Sequence, residues 1–158
     1  MSSVNLNACF IVRAAGDAGR YAAILKTKDE AMKPTLGQKY SRQEISEMIG
    51  GSPQIYLPSK DGEILCGCFR PSPEYNPDAP GEVLFGPSPS GIVEENAEIV
   101  YRQAAPIPIF IFRSNAQWEY IGNYRCVRHS RDANLIEERM KKYPERGEIA
   151  GILWFEKT

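Results

Sequence analysis

The chain has one histidine, His129, among its 158 residues, and this scarcity excludes many catalytic sites. Nucleases of the HNH type, zinc sites with two histidines and histidine phosphodiesterases all need more than one imidazole. The nucleophile motif G-x-S-x-G and the phosphate-binding loop G-x-x-x-x-G-K-[ST] are absent too. Arg128 and Arg131 stand beside His129, disfavour its protonated form and weaken it as a general base. The sequence therefore favours a protein that is not an enzyme.

Long hydrophobic runs are also missing from the chain. No apolar run reaches the roughly 18–20 residues that a membrane span needs, and the N-terminal sequence does not resemble a signal peptide. We therefore expect a soluble, intracellular protein, cytoplasmic or nuclear, with no membrane partner. A length of 158 residues, 42% of them hydrophobic and 25% charged, is typical of one globular domain. We expect a single domain over residues 1–158.

Cysteine is scarce and is not spaced for metal binding. The four cysteines are Cys9, Cys66, Cys68 and Cys126, and the C-x-C pair lies in an apolar run whose alternate side chains would share one strand face. Structural zinc sites use C-x-x-C spacing with further Cys or His ligands, which this sequence lacks. The pattern predicts buried free thiols, no metal site and no cofactor.

The net charge of −1 is unevenly distributed along the chain. Residues 61–105 carry two Lys/Arg against eight Asp/Glu, whereas residues 113–131 carry four against one. A phosphate-binding surface needs a local basic patch rather than a basic average. The basic segment therefore indicates a focused nucleic-acid contact. The acidic, proline-rich segment 61–105 indicates the alternative, a module that binds a partner protein.

Hydrophobic periodicity and capping signals predict helices inserted singly among strands. Ser41 and Glu44 form a capping box ahead of an apolar face, which Gly50 and Gly51 end. The predicted helices are residues 19–26, 42–49, 92–103 and 132–142, and the predicted strands are 8–14, 54–59, 63–69, 83–86, 107–112, 118–127 and 149–155. No regular βαβ alternation occurs. The order predicts an α+β fold: a small, mostly antiparallel β-barrel or strongly curved sheet with two or three inserted helices.

The segment 118–127 alternates with a period of two, which predicts one strand face rich in rings. Trp118, Tyr120 and Tyr124 would share that face, and we expect it to point into the core. The Arg-rich end of the same segment is the better candidate for contact with a ligand.

Two segments of the chain resemble a known group of modules. They are YSRQEISEMIGGSPQIYLPSKDGEILCGCF from Tyr40 and IPIFIFRSNAQWEYIGNYRCV from Ile107. Both are similar to small barrel modules often fused to HNH restriction-type endonucleases, within the PUA-like group that includes the SRA, EVE and YTH readers of modified nucleotides. The matching positions are Tyr40, Arg42, Glu44, Ile45, Gly50, Gly51, Gln54, Pro58, Ser59, Trp118, Tyr120, Gly122 and Tyr124. The resemblance implies a PUA-like or SRA-like barrel, and since no HNH segment is present, it implies binding without cleavage.

The candidate nucleic-acid-binding residues follow from this resemblance and from side-chain chemistry. Glycines let backbone amides approach a ligand, glutamine offers a donor and an acceptor, tyrosine stacks on a base and arginine holds phosphate. The candidates are Arg42, Gly50, Gly51, Ser52, Gln54, Tyr56, Tyr120, Tyr124, Arg125, Arg128, His129 and Arg131.

The function expected from the sequence is a non-catalytic reader of a modified base or modified backbone in DNA. Methylated bases and phosphorothioate linkages are both compatible with the residues, RNA stays an open alternative, and a separate nuclease is a possible partner protein. A further alternative is a small hydrolase on an open barrel. It would need Asp78, Glu82 or His129 to converge in one pocket.

Overall fold

The computed structural model describes residues 33–158. The strand and helix predicted at residues 8–14 and 19–26, and Cys9, lie outside these residues. The elements are β1 (Lys39–Tyr40), α1 (Arg42–Ile49), β2 (Ser59–Lys60), β3 (Glu63–Ile64), β4 (Gly67–Phe69), β5 (Glu82–Phe85), α2 (Ile92–Gln103), β6 (Ile107–Phe112), β7 (Trp118–Ser130), α3 (Ala133–Lys142), a 3-10 turn (Pro144–Arg146) and β8 (Gly151–Lys157). The fold is α+β, as predicted.

Local signals set the helix boundaries. Ser41 Oγ accepts the backbone N–H of Glu44 at 3.0 Å, and Glu44 Oε1 accepts the backbone N–H of Ser41 at 2.8 Å, so the predicted capping box is present. Gly50 ends α1 with φ 105° and donates its N–H to Ser46 O at 2.8 Å. Asp132 caps α3 by accepting from Leu135 N at 3.0 Å. Each helix therefore begins or ends at the residue whose side chain or backbone satisfies its terminal groups.

The main sheet is mixed, with the strand order β4-β6-β7-β8-β5 and with β1 paired to the start of β7. Strands β4 and β6 are parallel, and the other pairs are antiparallel. A separate hairpin joins β2 and β3 through Asp61 and Gly62, whose φ values are 53° and 80°. This is the hairpin that the sequence predicts, although it is shorter than expected.

The predicted strands at 54–59 and 63–69 are only partly formed. Cys68 donates its N–H to Tyr56 O at 2.8 Å, and Leu65 donates to Pro58 O at 2.8 Å. Pro53 and Pro58 have no N–H to give in return, so the segment runs beside β4 without a regular ladder. The loop that carries Gln54 and Tyr56 is irregular for this reason.

The three helices pack on two faces of the sheet. Because neighbouring residues of a strand point to opposite faces, Val83 and Leu84 belong to different clusters. Under α2 lie Phe69, Val83, Phe85, Ile109, Leu153 and Phe155 with Ala97 and Val100. On the other face, Ile45 of α1 meets Cys66, Cys68, Phe110 and Trp118, while Leu135 and Ile136 of α3 meet Leu84 and Ile152.

Strand β7 contains two bulges, and the first of them splits its aromatic residues between these faces. Ile121 is an extra residue opposite β6, and Val127 is an extra residue opposite β8. A bulge reverses the alternation of the residues that follow it. Tyr120 therefore packs beside the α1 cluster with Trp118, whereas Tyr124 packs in the α2 cluster. The prediction of a single ring-bearing side is wrong, because the period of two is interrupted at Ile121.

The sheet curves so that its two outer strands, β4 and β5, come close together. Five flat strands would place the outer pair about 19 Å apart. The buried Asn76 instead connects them, since its N–H donates to Arg70 O at 2.9 Å and its Oδ1 accepts from Leu84 N at 2.6 Å. Within residues 33–158 no hydrogen-bonded ladder joins β4 to β5. The curved sheet is thus bridged by a side chain and is not closed into a barrel.

The described cysteines are buried free thiols, as predicted. Cys66 and Cys68 both pack in the α1 cluster, and their mutual hydrogen bond and their burial raise the pKa of Cys66 well above its ordinary value. Burial raises the pKa of Cys126 to about 11. Among residues 33–158 no group of three His, Cys, Asp or Glu side chains could hold a metal ion. No helix in this part of the chain is long and apolar enough to cross a membrane.

Candidate functional site

A pocket of about 610 Å³ lies between the two outer strands. This volume falls within the range of pockets that take small ligands. The pocket is lined by residues of β4 and β5, of the loops that follow α1, β4 and β5, and by single residues of α1, α2, β7 and the 3-10 turn. They are Arg42, Pro53, Gln54, Tyr56, Cys68, Arg70, Tyr75, Asn76, Leu84, Phe85, Gly86, Pro87, Val93, Trp118 and Arg146. The pocket therefore forms where the sheet fails to close.

The lining of this pocket carries charge of one sign. Its charged side chains are Arg42, Arg70 and Arg146, and no Asp or Glu is among the described residues that line it. Aromatic rings from Tyr56, Tyr75, Phe85 and Trp118 form much of the remaining wall. A pocket of this kind favours a planar ligand with negative charge.

Arg42 fixes the loop that follows α1. Its Nη2 donates to Ser52 O at 3.2 Å and to Ile55 O at 2.8 Å, and its guanidinium lies 5.4 Å from the ring centroid of Trp118. Within residues 33–158 the Nε of Arg42 is buried without a hydrogen-bond partner, and its Nη1 has no acceptor. One arginine thus orients the Gln54 loop and keeps Nη1 as a donor for a ligand in the pocket.

Gly50 and Gly51 allow this loop to turn. Gly51 has φ 79°, and a Cβ added there would lie 2.5 Å from Pro58 Cβ. Both facts require glycine at this position. The two glycines therefore have structural roles, and their expected contact with a ligand stays a prediction. Ser52 Oγ accepts the backbone N–H of Gln54 at 3.2 Å, and the Gln54 side chain lines the pocket.

Arg70 and Tyr75 stand on the 70–76 loop. The Arg70 guanidinium lies 4.2 Å from the ring centroid of Phe112, 5.4 Å from that of Tyr75 and 5.7 Å from that of Trp118. Such distances are within the range of cation–π attraction. Tyr75 is 48% exposed, so about half of its surface is available to contact a ligand.

Burial changes the pKa values of two further lining residues, Tyr56 and Arg146. The Tyr56 hydroxyl donates to Val93 O at 3.4 Å, and burial, with a smaller effect of Glu94, raises the pKa of this phenol far above its ordinary value. Arg146 donates from Nη2 to Leu84 O at 3.0 Å, while its Nε is buried without a partner. Burial lowers the pKa of Arg146. The pocket lining therefore combines a neutral phenol with a desolvated guanidinium.

Three predicted site residues line this pocket, namely Arg42, Gln54 and Tyr56, and Gly50, Gly51 and Ser52 shape the adjoining loop. The predicted β7 residues do not line it. Tyr120 donates to Asn123 Oδ1 at 2.7 Å, and Tyr124 packs in the α2 cluster. Both tyrosines are half-buried within the sheet, and a binding role for either stays a prediction.

The predicted arginines of the β7 segment lie elsewhere. Arg125 is exposed. Arg128 lies 4.4 Å from the ring centroid of Trp154, and Arg131 donates from Nε to Ala150 O at 3.3 Å. Arg131 also lines a second pocket of about 750 Å³ against α3. These residues do not join the first pocket, and their contact with phosphates stays a prediction.

The three residues proposed for a hydrolase each contact a different structural partner. Glu82 accepts from Arg139 Nε at 2.8 Å and from Trp154 Nε1 at 3.0 Å. Asp78 accepts from the hydroxyl of Tyr143. His129 packs against Phe85 instead, with ring centroids 5.9 Å apart. None of the three lines either pocket.

His129 supports the pocket wall from behind, and its packing predicts a pH-dependent stability. Phe85 lines the pocket and stacks on the imidazole, whose Nε2 is buried without a partner. Burial lowers the pKa of His129 in the folded state. As the pH falls, the unfolded chain therefore binds a proton at this imidazole at a higher pH than the folded protein does. The stabilisation is therefore present above pH about 6.5 and is lost as the pH falls through the native pKa.

We expect the urea midpoint of the wild type to fall between pH 7.5 and pH 5.5 more than that of His129→Phe. The phenylalanine keeps a ring between Phe85 and Tyr101 but has no proton to bind. Equal pH slopes for the two proteins would show that His129 titration does not control this loss of stability.

Among the lining residues that the sequence-based prediction misses, four carry polar side chains on which the site depends: Arg70, Tyr75, Asn76 and Arg146. One signal was available, because Arg70 is the only Lys or Arg in residues 61–101 and directly follows an apolar strand. Asn76 and Arg146 carry no local signal. Their places depend on the distant strands that they contact.

Comparison with solved structures identifies the fold. The SRA domain of SUVH5, solved with hemimethylated CG DNA, has a TM-score of 0.51 and 10% identity over 79% of this chain and 89% of that chain. The same domain bound to fully hydroxymethylated CG DNA has a TM-score of 0.50 and 10% identity over 78% and 88%. The type IV phosphorothioation-dependent restriction endonuclease ScoMcrA matches with a TM-score of 0.46 and 15% identity over 78% of this chain and 27% of that chain.

The fold is thus SRA-like, and the resemblance predicted from the sequence is confirmed at that level. The chain belongs to the family described as domain of unknown function DUF6697, whose profile matches residues 39–147. No curated protein matches the chain. The matched residues run from β1 to the residue after the 3-10 turn, and they include both outer strands and every residue that lines the pocket.

Proposed function

We propose that this protein is a non-catalytic DNA-binding module that holds one modified nucleotide in the pocket between β4 and β5. The observation that carries the proposal is the lining, in which three arginines and four aromatic rings stand without an acidic side chain. Arginine binds phosphate oxygens with a rigid fork of donors, and aromatic rings stack on a nucleobase for about 1–3 kcal/mol per base.

The SRA-like fold supports the same function. The SUVH5 SRA domain is solved with hemimethylated and with hydroxymethylated CG DNA. In the present chain, Gln54 stands at the pocket with a side-chain amide that offers both a donor and an acceptor. Tyr75 is the exposed ring best placed to cover a nucleotide that enters between the outer strands. Exposed Arg125 is available to hold the backbone outside the pocket.

Fluorescence anisotropy on short duplexes tests the proposal. Unmodified, methylated, hydroxymethylated and phosphorothioate versions of one sequence are compared at two salt concentrations. We expect one modification to be preferred by roughly tenfold, equivalent to about 1.4 kcal/mol. Gln54→Ala should reduce that preference, whereas Gln38→Ala, an exposed glutamine outside the pocket, should not.

Two other outcomes would contradict the proposal. Weak binding of all duplexes with a steep salt dependence would indicate a phosphate patch without a reader pocket. Absence of binding to every duplex would remove DNA as the ligand, and the acidic segment 61–105 would then be tested with partner proteins.

A further inference from the structure

Two arginines of the pocket have donors that no atom of residues 33–158 accepts. Residues 33–158 contain five buried side-chain polar atoms without a hydrogen-bond partner, and two of them are the Nε atoms of Arg42 and Arg146. Leaving a buried donor without an acceptor costs about 1–3 kcal/mol, and more for a charged group. Both side chains line the same pocket. Their Nη2 atoms donate to backbone carbonyls, whereas their Nη1 atoms have no acceptor within residues 33–158, so the Nη1 donors are the ones that a ligand in the pocket can satisfy.

Arg146 is the stronger anchor of the two. It follows α3 in the 3-10 turn and donates to Leu84 O from Nη2 alone. It forms no ion pair with a carboxylate of residues 33–158. A desolvated charge without a partner is costly, so an anion that enters the pocket would gain more from Arg146 than from an exposed arginine.

Gly86 leaves the guanidinium of Arg146 uncovered on one side. A Cβ added at Gly86 would lie 3.8 Å from Nη2 and 3.9 Å from Nη1 of Arg146. Any larger side chain at this position would therefore cover the donors. Gly86 itself lines the pocket, so its missing side chain keeps the fork of Arg146 open to a ligand.

The remaining polar groups of the lining are mostly donors. Asn76 uses its Oδ1 to accept from Leu84 N, and within the described residues its Nδ2 has no partner. The Tyr56 hydroxyl already donates to Val93 O. A neutral base edge that carries an amino group would need acceptors, and the lining side chain that offers one is Gln54, which is exposed at the pocket. A group with acceptors only, and with negative charge, satisfies the donors that are present.

We propose that the pocket holds an anionic, acceptor-only group of the nucleotide, with Arg146 and Arg42 as its ligands. This inference rests on the proposed function and narrows its substrate class. The same chemistry has two sources in modified DNA: a backbone phosphate or phosphorothioate, and a carboxylate carried by a base. The aromatic rings of Tyr75 and Trp118 then flank the remainder of the nucleotide.

Inorganic phosphate tests the anion site without DNA. Thermal unfolding is measured in phosphate and in chloride at equal pH and ionic strength, for the wild type, for Arg146→Met and for Arg102→Met. Arg102 is exposed on α2, where it pairs with Glu98, so its variant removes the same charge away from the pocket. We expect phosphate to raise the midpoint by several degrees in the wild type and in Arg102→Met, and by much less in Arg146→Met.

Arg146→Lys is a second test that does not depend on whether Arg146→Met folds normally. Lysine keeps the charge and can still reach Leu84 O, but it lacks the Nε donor and the fork. Its phosphate-induced rise should be less than half that of the wild type. An equal rise of the thermal midpoint in all four proteins would show that phosphate acts only as a general stabilising salt, and this would overturn the inference. So would the absence of any rise in the wild type.

Modified duplexes then identify the source of the anion. A single methylphosphonate at the target position removes one backbone charge, and a 5-carboxylcytosine adds one on the base relative to 5-methylcytosine. We expect either a tenfold loss with the first or a tenfold gain with the second, and in each case no such change with Arg146→Met. If neither substitution changes affinity, the anion site is excluded. Even if the anion site is excluded, selective binding of one modified duplex in the anisotropy experiment would still support the proposed reader function.

Discussion

Replacing Asn76 with aspartate is expected to abolish most DNA binding while the fold is retained. The aspartate Oδ1 can accept from Leu84 N as the amide does at 2.6 Å, so the bridge between β4 and β5 survives. The second oxygen, however, replaces a donor in the pocket with a negative charge. Unit charges about 4 Å apart interact by about 4 kcal/mol at an effective dielectric constant of 20. With partial compensation by the pocket arginines, we expect a loss of roughly 100-fold in affinity, about 2.7 kcal/mol.

Anisotropy and thermal unfolding together check this prediction. The matched control is Asn115→Asp, which adds the same charge at an exposed position of the turn between β6 and β7, outside the pocket. The control should change affinity by no more than about twofold, because exposed charges are screened. Equal losses in the two variants would show that only the total charge matters. Unchanged binding by Asn76→Asp would remove the pocket from the interface.

Gly151→Ala is expected to cause the largest loss of stability. A Cβ at Gly151 would lie 2.2 Å from Cζ of Phe85, a ring that is 2% exposed and stacked on His129. The ring has no room to retreat in a packed core. We expect the free energy of unfolding to fall by roughly 3 kcal/mol or more, at the upper end of the effect of overpacking. Phe85 also lines the pocket, so ligand binding should weaken with it.

Urea unfolding of three variants separates the clash from the loss of glycine. At Gly81 an added Cβ meets only Asp78 O, at 3.6 Å, which is an ordinary contact. Gly81→Ala should therefore change stability by about 0.5 kcal/mol or less. The double variant Gly151→Ala/Phe85→Leu should recover part of the loss, because leucine removes the clashing atom. A Gly151→Ala protein as stable as the wild type would contradict the described contact between β8 and β5.

Local signals in the sequence predict much of this fold. The helices at 42–49 and 92–103 and the strand at 107–112 have the predicted bounds, because capping residues and apolar periodicity act within one or two turns of chain. The bulge at Ile121 could not be predicted in this way, since it depends on the register between β6 and β7. That register is set by distant residues, and it divides Tyr120 from Tyr124.

The candidate site was predicted less completely, for a related reason. Arg42, Gln54 and Tyr56, which are predicted from the sequence, line the pocket together because they lie within one continuous segment. The pocket itself forms only when β4 and β5, the first and last strands in the spatial order, curve toward each other. Asn76 and Arg146 acquire their roles from contacts with Leu84 on the opposite strand. No local sequence pattern around Asn76 or Arg146 predicts these contacts with Leu84.

The central claim, that this pocket discriminates between nucleotides, is tested most directly by a ratio of dissociation constants. The ratio is the dissociation constant of the unmodified duplex divided by that of the preferred modified duplex of the same sequence. It is measured for the wild type, for Tyr75→Ala and for Tyr101→Ala. The two tyrosines are similarly exposed, at 48% and 43%, but only Tyr75 lines the pocket. The account predicts a ratio of roughly ten or more for the wild type and Tyr101→Ala, and a ratio near one for Tyr75→Ala. A preference retained in Tyr75→Ala and lost instead in Arg125→Met would contradict it and place recognition on β7.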